Sequence, residues 1–170
     1  ELAGSVGDVS VEGIECGDLD WLQVIGLTVV GSIKIETVGH VALRDCAVIK
    51  GRDAAVVAQQ CNSVQLVDCT VSDSSGDAIG LQAVANLTLT NCVISRNRGT
   101  GLKHSRGTRA NISRCQFSKN QTAMQLAVPT SVNSCQIVDN QRGIVVAAPH
   151  THIEHATIAF NRSAAIDCGK

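Results

Sequence analysis

Apolar and polar residues alternate along most of this chain in bursts of period two, broken at regular intervals by one or two polar residues or a glycine. Aligned on those breaks, the segments VALRDCAV, VQLVDCTV, LTLTNCVI, ANISRCQF and SVNSCQI repeat one pattern, and THIEHATI continues it with Ala156 in the cysteine slot. The cysteines stand at 46, 69, 92, 115 and 135, at intervals of 23, 23, 23 and 20 residues. With cysteine as position zero, apolar residues fall near -5 and -3, at 0 and +2, and near +10 and +12, as in Val64, Leu66, Cys69, Val71, Ile79 and Leu81. Alternation in three short runs per period describes three strands, each with every second side chain pointing inward. A period in the low twenties marks a solenoid in which each repeat adds one layer to a continuous core. Helical spacing is absent, so the sheets must connect directly. The pattern predicts an all-β parallel β-helix of six to seven coils of 20–23 residues, with three short parallel sheets.

The breaks fit bends. Pairs such as Arg44-Asp45 or Thr90-Asn91 precede the cysteine, and KGRD, SSGD, RNRGTG, KNQ, NQRG and NRS follow position +3. Position +2 is apolar at every level: Val48, Val71, Ile94, Phe117, Ile137 and Ile158. Position +5 is Asn97, Asn120, Asn140 and Asn161 in four successive coils, a spacing that lets stacked amides bond to one another and to turn backbone. Residues 1–32 fit less well, with a step of 30 from Cys16 to Cys46. They are expected to form an irregular first coil and N-terminal cap, with Trp21 covering the end of the stack. Residues 33–170 hold the repeats, within a single domain overall.

This pattern resembles the right-handed parallel β-helix, or pectin-lyase-like, superfamily, and more narrowly its CASH or NosD-type repeats. The matching stretches are VSDSSGDAIGL at 71–81, ISRNRGTGL at 94–102 and IVDNQRGIVV at 137–146, and the resemblance covers about residues 33–168. It is specific for architecture and leaves activity open, because one fold hosts many functions.

Composition refines the core. There is no Tyr, one Trp and two Phe, so the interior must be thin and filled by stacked small side chains. Layers about 4.8 Å apart would give neighbouring column cysteines a disulfide-compatible Cα distance, but parallel Cβ vectors do not suit an S–S bond. They read as buried thiols acting as small hydrophobes; metal binding is disfavoured by the lack of C-x-x-C spacing. Cys16, Cys61 and Cys168 lie off this column and are the better candidates for reactivity. Unpaired buried thiols point to the cytoplasm, with an extracellular setting as the alternative. No apolar run is long enough to span a membrane, the N-terminus lacks a basic-then-apolar targeting pattern, and no cofactor motif is present.

Charge is segregated. Residues 78–138 contain no Asp or Glu but hold Arg96, Arg98, Lys103, Arg106, Arg109, Arg114 and Lys119. Arg96 and Lys119, both at +4, are expected to be vertical neighbours whose repulsion an anionic ligand would relieve. Arg96, Arg98, Lys103, Arg106, Arg109 and Lys119 are therefore the candidate binding residues, for an acidic protein or an anionic polysaccharide. Nucleic acid is not indicated, since no binding motif and no aromatic stacking platform accompany the cations.

Three constellations bear on catalysis. The family resemblance implies that a Lys or Arg could abstract a proton from a uronate while other cations neutralise its carboxylate, for which Lys103, His104 and Arg106 are the matching types. Asp73 and Asp77 are paired acids at a strand end, but the G-H-G of polygalacturonases is absent. His150 and His152 in APHTHIEH should project from one side of a strand, as a candidate metal pair. The incomplete sets favour a non-catalytic binding or scaffolding domain. A uronate lyase or epimerase and a purely structural solenoid segment, with oligomers formed by end-stacking, are the alternatives.

Overall fold

The computed structural model describes residues 2–3 and 10–168, and every regular element among them is a β-strand. All strand pairs are parallel and join residues one repeat apart. Each turn of the chain lays a strand on three faces in succession. The first face, before the cysteine, comprises residues 21–25, residues 40–44, Ser63–Val67, Asn86–Thr90, Arg109–Ser113, Thr130–Asn133 and His152–Glu154. The second, after it, has eight strands from Ser10–Val11 to Thr157–Ala159. The third comprises residues 14–17, residues 33–36, Ala54–Gln59, Asp77–Gln82, Thr100–His104, Thr122–Leu126, Arg142–Val146 and Ile166–Cys168. The three faces form two hydrogen-bonded sheets rather than three. Ile14–Ile25 and Ile33–Arg44 run as unbroken 12-residue strands around the bend between the third and first faces, and so weld those two faces together.

The core is a set of columns running along the solenoid axis. On the first face Leu43, Leu66, Leu89, Ile112, Val132 and Ile153 stack in register. On the second the column is Val11, Val29, Val48, Val71, Ile94, Phe117, Ile137 and Ile158. Ala55, Ala78, Gly101, Ala123 and Gly143 face them with minimal side chains. A Cβ on Gly101 would lie 2.6 Å from the Ala123 carbonyl oxygen and 3.0 Å from the Phe117 ring, so this glycine makes room both for the adjacent strand and for the one aromatic residue in the core. Trp21 does not cover the core: the alternation that turns Leu22 and Val24 inward turns Trp21 outward, where it is 61% exposed.

The corners use left-handed backbone. Before each cysteine, Asp45, Asp68, Asn91, Arg114, Ser134 and His155 adopt φ of 50–54°, and at +4 Lys50, Asp73, Arg96, Lys119, Asp139 and Phe160 adopt 57–61°. Non-glycine residues rarely hold this conformation, at a cost of about 1–2 kcal/mol each, so here the stacked ladders on both sides enforce it. The first corner also accounts for the cysteines. Cys46, Cys69, Cys92, Cys115 and Cys135 each donate from Sγ to the carbonyl two residues back, at 3.1–3.3 Å, satisfying an acceptor that the bend points inward. Hydrogen bonding with Cys115, together with burial, pushes the Cys92 thiol up to about 12; Cys135, at the end of the run, is lowered to about 7 by the Cys115 thiol.

At the second corner the +5 asparagines are joined end to end, with Asn97, Asn120 and Asn140 buried and Asn161 half-buried. Asn97 Nδ2 donates to Asn120 Oδ1 at 2.9 Å, Asn120 to Asn140 at 3.1 Å, and Asn140 to Asn161 at 3.1 Å. Each acceptor oxygen also takes the backbone N–H of the asparagine in the coil before it, at 3.0–3.2 Å. The second amide proton reaches backbone carbonyls, as Asn120 does to Ile94 at 3.1 Å.

Candidate anion-binding site

The second corner, above the asparagines, is also where the cations gather. Positions +4 and +6 point outward on either side of the buried amides. In consecutive coils they place Arg96 and Arg98, then Lys119 and Gln121, then Asp139 and Gln141, then Arg162 around one open groove of about 470 Å³. Arg98 and Arg162 lie three layers apart, roughly 14 Å at the strand spacing. Asn97 and Asn120 form part of the groove lining.

Arg96 is not free to serve a ligand. Its Nε and Nη2 donate to both oxygens of Asp73, each at 2.8 Å, and Ser72 adds a third bond to that carboxylate. The Arg96 guanidinium holds the Asp73 carboxyl at about 2. The expected clash between Arg96 and Lys119 is thus settled within the chain, by an acid one layer behind. Asp77 is likewise occupied, accepting the Thr100 backbone N–H at 2.6 Å. Arg98, Lys119 and Arg162 have no ion-pair partner among the described residues, and Asp139 is the one acid lining the groove.

The remaining basic candidates lie elsewhere. Lys103 stands on the third face between Gly80 and Gln125; Arg106 occupies the following bend; Arg109 lies on the first face, with Nε donating to Asn86 at 3.2 Å. The cations of the acid-free band therefore ring the coil, and only those at the second corner share a concavity with Arg162. Sequence reading missed Arg162 because it lies outside that band, although it holds the same +6 slot as Arg98.

His104 requires a correction. It is fully buried, stacked between Leu81 and Leu126, with Nε2 3.0 Å from the Val84 carbonyl and Nδ1 without a partner. At +12 its side chain belongs to the core, so it cannot meet a surface substrate. Desolvation lowers its pKa from 6.5. The sign follows: the fold is at full strength above the unfolded value of 6.5 and weakens as pH falls from there through the lowered folded value. Asp73 acts in a separate window, between 3.8 and about 2. Urea midpoints followed from neutral pH down to about pH 4.5 are expected to fall for the wild type and to fall less for His104→Leu. Superimposable curves would show that this imidazole is not responsible.

The histidine pair is also redrawn. His150 sits in the bend with φ of 57°, outside the strand that starts at His152, and His152 Nε2 lies 3.2 Å from Glu154 Oε1. Among the described residues no three His, Cys, Asp or Glu side chains gather as a metal would require. Cys61 is buried and donates to the Gln59 carbonyl, Cys16 is half-buried and Cys168 is exposed. No helix among the described residues is long and apolar enough to cross a membrane.

The stacked parallel strands define a β-solenoid, and a family model described as "Right handed beta helix region" matches residues 31–170. The chain belongs to that right-handed β-helix family. Comparison with curated proteins gave no match, and comparison with solved structures gave none either.

Proposed function

We propose that this protein is a non-catalytic binding domain that holds a carboxylate-bearing polymer, a uronate polysaccharide, along its second corner. The observation that carries this is the convergence of three cations without ion-pair partners, Arg98, Lys119 and Arg162, on one groove that also offers the Gln121 and Gln141 amides. Exposed ion pairs are worth about 0.2–1 kcal/mol each, so three of them hold a single sugar poorly. A polymer that engages several at once is the suitable ligand, since linked contacts add without a new association cost. An acidic protein segment would use the same cations and is the competing partner. The eight cysteines, none in a disulfide, suit a reducing compartment, where we place the domain.

Calorimetric titration with polygalacturonate at low salt is expected to show binding that weakens as salt rises. The Arg98→Glu, Lys119→Glu double variant should lose at least about tenfold in affinity, or about 1.4 kcal/mol. Equal binding by the variant, or preference for poly-glutamate over the uronate, would overturn the assignment. Unsaturated uronate products accumulating during the titration would replace it with lyase chemistry.

A further inference from the structure

The outward +6 positions of the second corner form one column that runs beyond the groove. Ser75 donates its backbone N–H to the Gly51 carbonyl at 2.9 Å, Arg98 to Ser74 at 3.0 Å, Gln141 to Asn120 at 3.0 Å and Arg162 to Asn140 at 3.0 Å. With Gln121 beside Arg98 and Gln141 in the groove, those bonds stack Arg52, Ser75, Arg98, Gln121, Gln141 and Arg162 in successive coils. All are exposed and none is acidic. The +4 column next to it mixes Lys50, Asp73, Arg96, Lys119, Asp139 and Phe160. Arg52 and Arg162 lie five layers apart, roughly 24 Å at the strand spacing.

We propose, on the reading that the groove binds a polyuronate, that the same ligand also reaches Arg52, so that the protein selects chains long enough to span the corner over shorter ones.

The stretch between Arg52 and Arg98 is open to an anionic chain. Across positions +4 to +6 its one acid is Asp73. Arg96 binds both oxygens of Asp73 and holds the carboxyl low, with a smaller contribution from Lys50 one layer before. Arg52 has no ion-pair partner among the described residues. An arginine fork meets a carboxylate through two parallel bonds, while the Ser75 hydroxyl and the Gln121 and Gln141 amides suit sugar hydroxyls. The stack fixes this spacing before the ligand arrives, so each further contact costs little ordering.

The corner also sets where the site stops. Residues 50–53 separate the second-face and third-face strands in the Arg52 coil, but only 31–32 and 12–13 do so in the two coils before it. Those tighter turns have no loop to carry an outward cation. They leave a depression of about 790 Å³ beside Arg52 and Asp53, and its far side, two layers on, carries Glu12 and Glu15. An anionic chain is turned back there.

Calorimetric titration with galacturonate oligomers of increasing length tests this. At about 0.15 M salt, charges are screened over about 8 Å, less than the two layers between Arg52 and Arg98. Affinity is expected to rise with length past the point at which the groove from Arg98 to Arg162 is filled, and to level once the chain reaches Arg52. Arg52→Gln should lower the affinity of long chains at least about threefold and leave that of short chains unchanged. The Arg52 side chain is exposed, so the variant keeps the fold. A plateau at groove length, or equal long-chain binding by Arg52→Gln, would overturn the extension and leave the groove standing. An equal loss for short and long chains would also overturn it, since the arginine would then act through its field and not by contact. Absence of binding at every length would overturn the groove reading and the extension with it.

Discussion

Asn120→Ala is expected to remove about 3–5 kcal/mol of folding stability, which for a domain of this size lowers the melting temperature by roughly 6–20 °C. Asn120 is 2% exposed, and its side chain accepts from the Asn97 backbone and amide and donates to the Ile94 carbonyl and the Asn140 oxygen. Truncation leaves those partners inside the fold, each unmet group costing about 1–3 kcal/mol, though not additively. The buried amides on either side cannot substitute, because Asn97 accepts from the Ser74 N–H and Asn140 donates to the Asn161 oxygen. Asn161→Ala should cost less, since Asn161 is only half-buried and its bonds among the described residues run to one side. Thermal melts by circular dichroism decide it: a loss below about 1 kcal/mol for Asn120→Ala would mean that the shape of the turn, and not the amide, holds this corner.

Phe117→Ala is expected to cost a comparable 3–5 kcal/mol, roughly, through lost burial and the cavity left behind. The ring is fully buried, stacked between Ile94 and Ile137 and seated beside Gly101. Phe117→Ile should cost under about 1.5 kcal/mol, since it restores the side chain used in the layers above and below. Urea denaturation separates the two. Equal losses would show that the aromatic shape, matched to Gly101, matters more than filled volume. Phe117 and Asn120 both approach the place where a Gly101 Cβ would sit, at 3.0 and 3.2 Å, so their effects should not simply add.

The parallel stack explains which parts of the molecule were readable in sequence. When each residue sits on its equivalent one period away, linear spacing is spatial position, and the inward columns, the corners and the +5 asparagines follow by counting from the cysteines. The errors came from abandoning that count. His104 was grouped with Lys103 and Arg106 as part of GLKHSRGTR, yet it lies 12 residues after Cys92, as Leu81 does after Cys69, and so is inward by parity. Trp21 could have been placed outward from Leu22 and Val24 in the same way. Arg96 looked unpaired because its own stretch of chain has no acid, while its partner Asp73 lies one period back. The welding of the first and third faces was not readable, because it depends on strands Ile14–Ile25 and Ile33–Arg44 bending without a break. How far the groove extends was not readable either, because outward positions are free to vary in a way that core positions are not.

The constant offset between paired residues also shapes how this molecule fails. A globular domain ties distant segments together in many directions, so a lesion is felt throughout. Here each layer touches only the one before and the one after, and stability behaves as a linear sum of layers and junctions. Damage at an end frays a single coil and leaves the rest standing. Damage at Phe117 or Asn120, near the middle, instead parts the rod into two short blocks that must each survive alone, and cooperativity is lost along the axis before any strand has lost its own fit.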